Sequence, residues 1–244
     1  MVGSDFFTET QHQSDKYVMT KNTCVIVLGP YRSGTSLTAK TLSNLGVYFG
    51  PQTELYEPSE FNPDGYYQRP DVSKANAEFI KSSGGTLMSP PHPSILYDES
   101  KKLKFTKSKL DWRRSSEYWG LKDPRFCATL AAWIKEGLID DHNLKIVRVT
   151  RGLDKSAESC VKHYDVGPMC GRSLKKATKM LSTYHEYASW HVDKLGAPCI
   201  SIRQEDFENS PNKTVSALAD FLGVHDCITV QHAVKNTQTG KSKW

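Results

Sequence analysis

The chain has 244 residues, 38% of them hydrophobic and 24% charged, with a net charge of +5. That is ordinary for one globular domain with a real core. No apolar run approaches the ~18 residues of a membrane span. The positive balance favours anionic ligands without selecting nucleic acid, so neither a membrane nor a nucleic-acid partner is expected.

The first stretch, residues 1–20, is polar and lacks a basic start followed by an apolar block. It reads as a flexible tail with no secretory signal, and 21–244 reads as a single domain. The six cysteines (Cys24, Cys127, Cys160, Cys170, Cys199 and Cys227) form no CxxC pair. They read as reduced thiols in a cytoplasmic protein. Cys160, His163 and Cys170 match no zinc spacing, and no metal is expected.

"TCVIVLG" (23–29) is apolar without alternation, which predicts a strand buried on both faces. A helix follows from Thr35 to Gly46. Residues 50–70 are rich in Pro and Gly and read as loop, 71–83 as a helix, and 84–97 as loop again. "KKLKFTKSKLDWRR" (101–114) carries seven basic residues and one acid and reads as a solvated face or insert. "EYWGLKDP" (117–124) predicts a short strand, and "CATLAAWIKEGL" a helix. "LKIVRVTR" (144–151) is a strand and "GLDKSAESCVKHY" a helix. Apolar steps of three and four from Leu174 to Leu195 predict a long amphipathic helix closed by Gly196. "PCISIR" (198–203) is a strand. Ser210 and Pro211 then open a helix that runs to Leu222. Alternating strands and helices predict an α/β fold, a central parallel sheet with helices on both faces. Ligands bind such sheets at the C-terminal strand ends.

Three segments fall at those ends. "VIVLGPYRSGTSL" joins the first strand to a helix N-terminus, where amides and the helix dipole attract an anion. Gly34 allows close approach. Arg32 adds charge, and Thr35 and Ser36 add hydroxyls. A nucleotide triphosphatase would carry Lys at position 35, so the loop suits a single phosphate better than a triphosphate. "VRVTRGLDKSAES" puts Arg151 at a strand end with Ser159 eight residues on, a set suited to a second phosphate. "WGLKDPR" crowds Lys122, Asp123 and Arg125 around Pro124. An Asp–Arg ion pair is the rival reading there.

Together with "RQEDFENSPNKTVSALADFLGV", these motifs in this order resemble the sulfotransferases that use 3′-phosphoadenosine 5′-phosphosulfate (PAPS), in particular the bacterial-type branch. The resemblance spans roughly Cys24 to Val224. It implies a three-layer sandwich with a P-loop NTPase-like fold and PAPS as cofactor, released as PAP, with no metal. It implies that Arg32, Ser33, Gly34, Thr35 and Ser36 bind the 5′-phosphosulfate. It assigns the 3′-phosphate to Arg151 and Ser159, with Lys122 near the transferring sulfonate. Gln204 stands where the family often has an adenine-contacting Tyr. A C-terminal basic loop carrying Lys241 and Lys243 is expected to close over PAPS.

The general base departs from the family pattern. The histidine position two residues after the strand-end lysine is Pro124, and the glutamate of "NPxGxxE" is Gln68. Asp123 is then the first choice. Glu54 fits another branch's spacing, with Glu57 and Glu60 close behind, and His92 and His163 remain open. The acceptor is expected to be a small molecule with a hydroxyl, N-hydroxyl or amine. Residues 84–116 are expected to form an acceptor-side insert or lid. Tyr56, Phe61, Tyr66 and Tyr67 would line the opposite wall, suiting a polar or cationic acceptor. Two rival functions stand beside this reading, a PAP- or PAPS-binding protein without turnover and a small P-loop phosphotransferase. The oligomeric state stays open.

Overall fold

The computed structural model describes residues 22–60 and 62–239. Four strands, β1 (Thr23–Leu28), β2 (Tyr118–Lys122), β3 (Leu144–Thr150) and β4 (Cys199–Arg203), form one sheet in the order β2-β1-β3-β4. Every pairing is parallel. Ten α-helices accompany them among the described residues: α1 (Thr35–Asn44), α2 (Pro70–Ser82), α3 (Pro93–Asp98), α4 (Phe126–Lys135), α5 (Leu153–Lys162), α6 (Val166–Met169), α7 (Leu174–Leu195), α8 (Gln204–Asn209), α9 (Pro211–Leu222) and α10 (Cys227–Thr239).

The missing alternation in β1 has the expected cause. Cys24, Ile26 and Leu28 point into one core, with Leu130 and Trp133 of α4 and Met180 and Tyr184 of α7. Val25 and Val27 point into a second core, with Ala39 and Leu42 of α1 and Val215 and Leu218 of α9. Six consecutive residues are buried because both faces of the strand are covered. The result is three layers. Parallel register then aligns the strand ends: Val27 lies opposite Lys122 and Val147, and Thr150 lies opposite Arg203. The segments that follow all four strands therefore open at one sheet edge.

Four helices depart from the expectations. α6 occupies a stretch assigned no element. α3 lies inside a stretch expected to be loop. Pro93 starts it, and His92 caps it by accepting the Ser94 amide. α8 follows β4 with no loop between, its Asp206 carboxylate capping the Arg203 amide. α10 packs on α1 through buried Ala233 and a hydrogen bond between Thr237 and Thr41 at 3.1 Å. Residues 236–239, the start of the expected basic closing loop, belong to this helix. Lys241 and Lys243 lie outside the described residues.

The 84–116 segment, expected as an acceptor-side insert, is packed against the core. Leu96, Leu103 and Leu110 are buried in the core on the α4–α7 side. Tyr184 and Tyr187 of α7 donate to the carbonyls of Leu87 and Pro90. Apolar burial ties the segment down, and it contributes no residue to the cleft described below.

Candidate active site

The turn between β1 and α1 is built by close contacts. A Cβ on Gly29 would lie 2.6 Å from the Val149 carbonyl oxygen. Gly34 has φ +93° and caps α1. A Cβ there would fall 1.7 Å from Gln204 Oε1. Both positions need glycine. The Ser33 hydroxyl turns inward and donates to the Pro30 carbonyl at 2.8 Å. Its expected role in binding an anion can therefore involve only its backbone.

Arg32 holds φ +61°, an uncommon conformation for a residue with a side chain. The twist brings three expected groups together. Arg32 Nε donates to Ser159 Oγ at 2.9 Å. The Arg32 carbonyl faces Arg151 Nη1 and Ser156 Oγ, each at 3.4 Å. Burial lowers the Arg32 pKa, and neighbouring Arg151 adds to the effect. Among the described residues no ion pair involves Arg151. Two guanidiniums this close, beside a helix N-terminus, favour an anion between them.

Lys122 ends β2 and is only 5% exposed. Its Nζ donates to Ser36 Oγ and the Tyr66 carbonyl at 3.0 Å, and to Gln68 Oε1 at 3.2 Å. Burial pushes its pKa down to about 7, partly offset by neighbouring Asp123.

Asp123 is placed differently from the expectation. It is fully buried and is not part of the cleft wall. Its carboxylate accepts from Gln68 Nε2 at 2.8 Å, Ser73 Oγ at 2.7 Å and the Arg125 amide at 2.8 Å. Arg125 Nη1 adds an ion pair at 3.0 Å. Burial opposes the Arg125 charge, but Asp123 and the surrounding tyrosines overcome it and hold its pKa above the ordinary value. A carboxylate with this many donors inside the protein anchors the turn and has no path to an acceptor proton. The rival ion-pair reading holds. Asp123→Ala is expected to cost about 3–5 kcal/mol of stability by leaving Arg125 buried and uncompensated. A fall in the unfolding midpoint checks this, and an unchanged midpoint with lost activity would restore a catalytic role.

Glu54 is also engaged elsewhere. Arg69, 5% exposed, bridges Glu54 and Asp71, and Glu54 does not reach the cleft.

The cleft itself has an open volume of about 200 Å³. Arg32, Thr35, Ser36, Lys122, Arg151 and Gln204 form its phosphate-like end. Gln204 is buried, and its Oε1 has no hydrogen-bond partner. Tyr56, Glu57 and Tyr66 form one wall and His163, Tyr164 and Asp165 another. Tyr67 lies outside the lining and packs on Phe49, ring centres 5.8 Å apart. Phe61 lies outside the described residues. His92 caps α3 away from the cleft. His163 Nδ1 accepts the amides of Asp165 and Val166. Burial first, and then Arg32, lower its pKa to about 4. The ring is therefore neutral with its proton on Nε2, a donor rather than a base.

No family model matches the chain, and no curated protein matches it. Two solved structures align over most of it. One is the sulfotransferase domain from the curacin biosynthetic pathway, with TM-score 0.53 and 17% identity over 85% of this chain and 76% of that one. The other is the sulfotransferase domain from the Synechococcus PCC 7002 olefin synthase, with the same TM-score and identity over 90% and 78%. The chain has the sulfotransferase fold.

On this sulfotransferase fold, the sequence motifs located the cationic floor of the cleft but missed much of its rim. Tyr164 and Asp165 follow α5 in the segment "KHYD". Their only signal was adjacency to the Arg151–Ser159 motif. Among the described residues the lining carboxylates are Glu57 and Asp165, and no group of three or more His, Cys, Asp or Glu is placed to hold a metal ion. No described helix is long and apolar enough to cross a membrane.

Proposed function

We propose that the protein is a cytoplasmic sulfotransferase that moves the sulfonate of PAPS to a hydroxyl or amine of a small-molecule acceptor. The observation that carries this reading is the Arg32–Ser159–Arg151 constellation at the N-terminus of α1. Two separate cation-and-hydroxyl sets meet there, and position 35 holds Thr where a triphosphatase would hold Lys. The cleft supports the nucleotide reading. Gly34, having no Cβ, admits the Gln204 side chain beside the loop, and both residues line the cleft.

Thr35, Ser36 and Arg32 would hold the 5′-phosphosulfate, and Arg151 and Ser159 the 3′-phosphate. PAPS supplies the activated sulfonate when bound. Arg32 and Lys122 face the negative charge that develops on transfer, so electrostatic positioning is the main device and no metal is required. Glu57 replaces Glu54 and Asp123 as the group that takes the acceptor proton, because its carboxylate reaches the cleft. Lys241 and Lys243 retain their proposed part in covering the nucleotide. The loss of both expected bases to internal ion pairs also favours a second reading, a PAP-binding protein without turnover. Sulfonate transfer to any acceptor removes it.

Calorimetric titration with PAP, without Mg²⁺ and with ADP as control, tests the proposal. PAP should bind at least ~100-fold tighter than ADP. Arg151→Ala should weaken PAP by roughly 10- to 100-fold, the loss of a charge-assisted phosphate contact. Equal affinity for ADP and PAP would overturn the reading.

A further inference from the structure

The cleft is electrically two-ended. Its floor carries Arg32, Lys122 and Arg151, three cations suited to the anionic nucleotide. Arg125 also lines it but is neutralised by Asp123. The rim has the opposite character. It is made by two Tyr-acid dipeptides, Tyr56–Glu57 and Tyr164–Asp165, from segments over 100 residues apart in sequence. Among the described residues, no ion pair or hydrogen bond engages either rim carboxylate. Tyr66 lies beside Tyr56, ring centres 6.3 Å apart, and its hydroxyl pairs with Ser59 Oγ at 2.6 Å. Lys122 Nζ already lies 5.9 Å from the Tyr66 ring. Tyr56 and Tyr164 are 41% and 54% exposed. Tyr164 stacks on the His163 ring, centres 4.7 Å apart, and both tyrosines stay partly exposed at the cleft mouth. Gln204, 4% exposed, lines the floor of the same cleft.

Resting on the sulfotransferase reading, we propose that the acceptor carries a protonated amine, held at the rim by Asp165 and the face of Tyr56. An ammonium is attracted by aromatic faces and by an unpaired carboxylate together. The Glu57 carboxylate adds to the negative field of the rim. Tyrosines alone would also take a neutral phenol, but two uncompensated carboxylates disfavour a neutral ligand and repel an anionic one. The nucleotide holds the floor cations, so the acceptor meets the acidic end.

A charge series on one phenol scaffold tests this. The PAP-saturated protein is titrated with tyramine, 4-ethylphenol and 3-(4-hydroxyphenyl)propionate, whose tails are cationic, neutral and anionic. Tyramine should bind about tenfold tighter than 4-ethylphenol and still tighter than the propionate. Asp165→Asn should remove most of the tyramine advantage, leave 4-ethylphenol unchanged and keep wild-type PAP affinity. Equal affinities, preference for the anionic tail, or no binding by any of the three would overturn the acceptor assignment while PAP still binds. Failure of PAP itself to bind would overturn the parent reading and this one together.

Discussion

Arg32→Ala is expected to lower kcat/KM for sulfonate transfer by roughly 100- to 1,000-fold. The side chain lies on the cleft floor at the strand-to-helix turn, where the proposed transfer would develop charge. Removing one preorganised electrostatic group from such a site costs about 3–4 kcal/mol. Arg32 also ties the two halves of the proposed nucleotide site together, through Nε to Ser159 and through its carbonyl to Arg151. Arg32→Lys keeps the charge but loses the fork that reaches Ser159 and the anion at once, so it should recover only part of the rate. The unfolding midpoint should not fall with the rate, because burial already works against this charge in the free protein. Steady-state kinetics beside a melting curve decide the matter. Arg32→Ala with a rate near wild type would remove Arg32 from the chemistry, and a matched loss of folding would make it structural.

The second large effect concerns Lys122 and pH. Burial lowers its folded pKa from the ordinary 10.5 to about 7. Between those values the unfolded chain binds more protons than the folded one, so stability rises with pH across that window. Each pH unit separating the two pKa values is worth about 1.4 kcal/mol. The site therefore costs the free protein several kcal/mol at pH 7, a cost that fades toward pH 10. Lys122→Met should raise the unfolding midpoint at pH 7 by several degrees, with the gain nearly gone by pH 10. Anion binding has the opposite sign. A bound anion favours the ammonium, so Lys122 takes up a proton when PAP binds above pH 7. Wild-type PAP affinity should fall from pH 7 to pH 9, by no more than about tenfold per pH unit. Calorimetry in two buffers of different ionisation enthalpy counts the proton. Lys122→Met should abolish both the proton uptake and this slope. A destabilised Lys122→Met protein, or a slope that survives the substitution, would contradict the assignment.

The elements that position the site were legible because their signals are local. The unbroken apolar run 23–28 records burial on two faces. The glycine pair at 29 and 34 records a turn that tolerates no Cβ. Ser210, Pro211 and Gly223 mark helix ends by their own backbone preferences. Strand-end position alone placed Arg32, Lys122 and Arg151 at one edge, since a parallel sheet aligns those ends. Sequence could not say which carboxylate meets solvent and which meets arginine. Asp123 and Glu54 stand close in the chain to groups that belong to the cleft, yet Arg125 and Arg69 capture them. Glu57, three residues from Glu54, escapes to the cleft wall. The 84–116 segment looked like a lid by composition, but its spaced leucines found the core on the α4–α7 side. An ionisable group's role depends on desolvation and on its partners, and those come from residues far away in the chain. Strand, turn and helix choices were therefore determined by the sequence locally, whereas the assignment of each charge to structure or to chemistry was decided only by the tertiary fold.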